Sequence, residues 1–111
     1  MQTQDRRIVY IDIPKIITQF VVNAVAHARG HVITFDLSDV VKYAEDIMRI
    51  EIDGRRKFRI RETLIKLVNL GYISHVFDRL YKLTDRDELW RLAKEKRIDE
   101  IQNIIERAVL A

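Results

Sequence analysis

The apolar positions of this chain change period several times, and each change marks an element. Positions 8–12 are apolar with little alternation and predict a short strand or an extended arm lying on the core. Asp12 followed by Pro14 reads as a helix start, because a carboxylate satisfies free backbone donors and proline fits a first helical turn. Ile17, Phe20, Val21, Ala24, Val25 and Ala28 then recur at three- and four-residue spacing, predicting a helix over 14–29 that Gly30 stops in a left-handed conformation. A β-branched run at 32–35 predicts a strand, and Asp36 or Ser38 caps the next helix. That helix carries Val40, Val41, Ala44, Ile47 and Met48 on its apolar face and ends near Ile50.

The segment from Ile50 to Arg61 has two readings. Its alternation, centred on Asp53 and Gly54, is a hairpin signal. Against it, Ile60, Leu64, Leu67 and Val68 keep helical spacing up to Gly71, and a helix beginning soon after Gly54 extends that face through Lys57 or Phe58. We take the turn followed by a helix. Two short strands, 72–76 and 80–84, then flank Phe77, Asp78 and Arg79 as a hairpin that lacks the favoured glycine turn. Beyond Thr84, Leu89, Trp90, Leu92 and Ala93 form one apolar stripe, and Ile98, Ile101, Ile104, Ile105 and Ala108 form a second. The charged stretch 94–97 between them predicts one kinked helix or two.

The chain of 111 residues is 48% hydrophobic and 33% charged, which suits one folded domain of mainly α character with a small β-hairpin, an α+β chain spanning 1–111. No apolar run reaches the length of a membrane span, and the polar start at 1–7 is not a signal core, so the cytoplasm is the expected compartment. With no cysteine, disulfides and thiolate metal sites are excluded. Abundant Ile, Val and charge with few Asn and Gln would suit a hot environment.

The net charge of +3 is unevenly placed. Residues 54–84 carry eight Lys or Arg against two Asp or Glu, whereas the segments on either side are slightly acidic. Arg55, Arg56, Lys57, Arg59 and Arg61 fall within seven residues at the start of a helix, where the dipole disfavours cations. An anionic partner would offset that placement; the alternative is a solvated face pairing with Glu51, Asp53 and Glu62. His27, His31 and His75 lack metal-ligand spacing, and no phosphate loop or nucleophile pattern is present, so neither metal, cofactor nor enzymatic activity is expected. Trp90, among Leu89, Leu92 and Ala93, reads as core or interface packing rather than a base-stacking residue.

The order helix, strand, helix, helix, strand, strand, helix, together with the run from Leu64 through Gly71 to Ile73 and the return Leu80-Tyr81-Lys82-Leu83-Thr84, resembles the winged-helix (winged helix-turn-helix) family of DNA-binding domains. The resemblance covers about 13–84, with 85–111 as a C-terminal helical extension; a long loop before the third helix and a wing without a glycine tip depart from common versions. It implies a third helix in the major groove and a wing on flanking phosphate. The implied DNA contacts are the five cations at the helix start, Thr63 and Lys66 further along it, and Arg79 and Lys82 on the wing. Asn69 is a further uncharged candidate or a helix cap. A domain this small has little room for the last stripe, so a homodimer through Trp90, Ile98, Ile101, Ile104, Ile105 and Ala108 is expected, presenting two copies to a palindromic site. The leading expectation is a sequence-specific transcriptional regulator of double-stranded DNA; an architectural DNA-binding protein and a protein–protein interaction module are the alternatives.

Overall fold

Five helices and a three-stranded antiparallel sheet make up the chain, in a computed structural model that describes residues 2–111 and, from Ile13 onward, their side chains. In chain order the elements are α1 (Gln2–Ala26), β1 (Val32–Phe35), α2 (Leu37–Asp46), α3 (Gly54–Asn69), β2 (Ser74–Phe77), β3 (Leu80–Thr84), α4 (Glu88–Lys94) and α5 (Ile98–Leu110). The fold is therefore α+β.

The first helix corrects the sequence reading at both ends. Residues 8–12 are helical rather than a strand or an arm, and Pro14 lies inside α1 at the loss of one backbone rung. Short apolar runs do not distinguish strand from buried helix. Ile13, Ile16, Ile17, Phe20, Val21 and Val25 are all buried along one stripe, and that burial favours helix on the carboxy side of the proline. The helix stops at Ala26, four residues before Gly30, and Gly71 is the glycine with positive φ.

Of the two caps expected, Asp36 rather than Ser38 starts helix α2: its Oδ1 accepts from the Asp39 backbone N–H at 2.9 Å while Asp39 Oδ2 accepts from the Asp36 N–H at 2.9 Å. It ends at Asp46, earlier than expected, and Ile47 is exposed rather than part of the apolar face. Arg49 then turns left-handed at φ 60°, and the Ile50 N–H reaches back to the Ala44 carbonyl at 2.9 Å. The alternating stretch after Ile50 is not a hairpin: Asp53 caps α3 by accepting from the Arg56 N–H at 2.8 Å, and the helix begins at Gly54.

Strand order in the sheet is β1-β3-β2. Phe35 pairs with Tyr81 and Val32 with Thr84 on one side of β3; Ser74 pairs with Lys82 and His75 with Tyr81 on the other. Period-two alternation turns Tyr81 and Leu83 toward the helices and Lys82 to the opposite face. The β2–β3 turn is made by Asp78 at φ 55°, a residue that tolerates the left-handed region in place of glycine. Phe20, Phe35 and Tyr81 join helix to sheet, with ring centroids 5.1 Å and 5.7 Å apart.

The C-terminal segment is two helices, separated where Lys96 turns left-handed at φ 57°. Both pack on α1, and α5 also packs on α3. Trp90 is 4% exposed, Ile101, Ile105 and Ala108 are fully buried, Ile104 is nearly so and Ile98 is half-buried. The stripe expected to meet a second copy therefore closes the chain's own core. Helix α1 packs against both C-terminal helices, and among these six side chains Ile98 stays half-exposed.

Candidate nucleic-acid interface

Helix α3 is anchored by Ile60, Thr63, Leu64 and Leu67, all buried and spaced along one stripe. Everything else on the helix is positioned by that stripe. At 3.6 residues per turn, nine residues are two and a half turns, so Phe58 stands opposite Leu67 and is 54% exposed. Ile65 shares its exposed side. Lys57, Phe58 and Arg61 follow Gly54 at offsets of three, four and seven, which places these four positions on one flank.

That flank faces the β2–β3 hairpin. Lys57, Phe58 and Arg61 line a groove of about 350 Å³ whose other walls are Leu37, Gly54, Arg79 and Tyr81. Three elements thus build it: the start of α2, the first half of α3, and the β2–β3 hairpin that β1 holds in the sheet. Among the described residues, no Asp or Glu lines the groove, and Lys57, Arg61 and Arg79 make no ion pair. Burial raises the Tyr81 hydroxyl above its ordinary pKa, and the nearby positive charge of Arg61 pulls in the other direction.

The other expected contacts divide. Arg55 is exposed at the helix start. Arg56 lies toward the core side and donates from Nη1 to the Glu51 carbonyl at 3.0 Å, bracing the loop that precedes α3. Arg59 is half-buried on the flank away from the groove. Thr63 is 3% exposed, and its hydroxyl donates to the Arg59 carbonyl at 2.8 Å; the expectation that it faces DNA is corrected, because it belongs to the anchoring stripe. Lys66 is likewise turned away, its ammonium donating to the carbonyls of Val109 at 3.3 Å and Ala111 at 3.1 Å at the end of α5. Lys82 sits on the outer face of the sheet between Thr34 and Ser74, not in the groove. Asn69 is exposed in the last position of α3.

Phe58 and Tyr81 are the groove residues that the sequence reading missed as a site. The signal was present for Phe58, since a helical wheel drawn on Ile60, Leu64 and Leu67 puts it on the outside.

A second groove, between Tyr72 in the turn after α3 and the two C-terminal helices, brings Arg91, Arg97 and Arg107 together with Glu88 and Glu100, and Arg91 and Arg97 lie 3.4 Å and 3.3 Å from Glu95. The histidines are engaged locally: His27 with the Asn23 carbonyl at 2.9 Å, His31 with the Asp85 carboxylate at 2.8 Å, and His75 with the Asp78 carbonyl. Among the described residues, no helix is long and apolar enough to cross a membrane. Comparison with family models, with characterised proteins and with solved structures gives no match for this chain.

Proposed function

We propose that this protein is a winged-helix DNA-binding protein that contacts the duplex with the first half of α3 and the β2–β3 wing. The observation that carries the reading is the gathering of Lys57, Arg61 and Arg79 on one groove without a carboxylate among the described lining residues, in contrast to a second groove where Arg91, Arg97 and Arg107 stand with Glu88 and Glu100. Like charges held together raise the local potential and attract a polyanion. Neutralised phosphates release condensed counterions, which supplies affinity without sequence reading. The element order and the joining of β1 to the hairpin support the same reading, because the sheet fixes the wing beside α3. Arg55 extends the positive surface at the start of that helix.

The test is a titration of labelled duplex DNA at several salt concentrations. Three phosphate contacts give a log–log slope of about −2.7, and each of Lys57→Ala, Arg61→Ala and Arg79→Ala reduces it by about 0.9. Absence of binding at low salt contradicts the proposal. Selection from a random pool then separates regulation from packaging: a convergent site preferred on the order of a thousandfold supports a sequence-specific regulator, and equal affinity for all sequences supports an architectural protein.

A further inference from the structure

Phe58 is a large apolar side chain that the fold leaves more than half exposed on a helix whose other face is buried without it. It is not isolated: Lys57, Arg61 and Arg79 line the same groove, with the buried Tyr81 as a further wall. An intact duplex offers such a groove its phosphates but not the flat faces of its bases, which are covered by their neighbours. An unstacked nucleotide offers both. The volume, about 350 Å³, lies near the lower end of the range of about 300–1,000 Å³ for small-molecule sites and suits one flat ring with its phosphate rather than a larger ligand.

We propose that the groove takes one unstacked nucleotide of a DNA strand, its base against the exposed ring of Phe58 and its phosphate among Lys57, Arg61 and Arg79. The inference rests on the DNA-binding reading above and adds to it a preference for DNA carrying an unpaired base. Aromatic side chains beside cations hold unstacked bases whatever their identity, because every base has a π-face.

Affinities are measured for a matched duplex, for the same duplex with one unpaired thymidine, and for that duplex with an abasic nucleotide in place of the thymidine. The unpaired thymidine is expected to tighten binding about tenfold over both controls. Phe58→Ala removes the gain, so that the variant binds the thymidine-bearing and matched duplexes alike, while Phe58→Tyr keeps it; the exposure of Phe58 leaves both variants folded. Equal affinity for the three DNAs overturns the inference and leaves the duplex-binding reading standing. A gain that the abasic DNA reproduces, or that survives Phe58→Ala, also overturns it, since flexibility or another surface then explains the preference. Displacement of the thymidine-bearing duplex by micromolar free thymidine monophosphate overturns it in favour of a soluble nucleotide. Failure to bind any of the three DNAs rejects the parent reading as well.

Discussion

Gly71 and Lys96 hold the same place in two helix ends of matching hydrogen bonding. After α3, the Gly71 N–H donates to Val68 at 3.0 Å and the Tyr72 N–H to Leu67 at 2.9 Å; after α4, the Lys96 N–H donates to Ala93 at 3.1 Å and the Arg97 N–H to Leu92 at 2.9 Å. Both residues are left-handed, at φ 86° and 57°, but only one is glycine. Lys96→Gly is therefore expected to stabilise the protein by about 0.5–1 kcal/mol and Gly71→Ala to destabilise it by about 1 kcal/mol, read from denaturant midpoints. A loss of stability in Lys96→Gly contradicts this account of the α4–α5 corner.

Burial of the last helix gives a second expectation. Ile105 is fully enclosed by the chain itself, so Ile105→Ala lowers unfolding free energy by about 2–5 kcal/mol, with a midpoint independent of protein concentration. A midpoint that rises with concentration would return α5 to the role of an intersubunit element.

The two cations Arg61 and Lys66 separate function from stability. Arg61 lines the groove, whereas the Lys66 ammonium closes the carbonyl end of α5. Arg61→Ala weakens duplex binding and flattens its salt dependence with little effect on the fold. Lys66→Ala leaves duplex affinity within about twofold and costs about 0.3–1 kcal/mol of stability, as expected for a cation at a helix carboxy terminus. Parallel binding and melting measurements on the two variants decide it; equal loss of affinity would show that Lys66 also reaches DNA.

Tyr81 predicts the alkaline behaviour. Its hydroxyl ionises above the ordinary value of 10.0 because burial disfavours the phenolate. The unfolded chain therefore releases this proton at lower pH than the folded one, and unfolding is favoured as pH rises. The Tyr81 contribution to stability is present below about pH 10 and is lost as pH climbs toward the raised folded value. Tyr81→Phe removes that part of the alkaline loss, and unfolding curves between about pH 8 and 11 compare the two proteins. An identical pH dependence in both would show that the phenol is not desolvated.

Where local chemistry decides structure, the sequence was readable: Asp36, one of the two caps it offered, caps α2, Gly71 ends α3, and Leu80 to Thr84 return as the second strand of a hairpin. Periodicity identified the apolar face of α5 correctly but said nothing about what covers it, and the covering surface comes from α1, α3 and α4. The break at Lys96 stayed open for a related reason, since no glycine or proline marks it. For the site, density of cations along the chain was a poor guide to direction. Residues 55–61 wrap nearly two turns, so Lys57 and Arg61 face the groove while Arg56 faces the preceding loop. Arg79 joins them only through the hairpin fold, and Thr63, polar by composition, is held inward by the same stripe that turns Phe58 out.

The claim that the α3–wing groove is the nucleic-acid face is tested most directly by following backbone amide NMR signals during a titration with duplex DNA. The account predicts saturable shifts centred on Lys57, Phe58, Arg61 and Arg79, with the amides of α5 unmoved. Shifts centred instead on Arg91, Arg97 and Arg107, or no shifts at low salt, would contradict it.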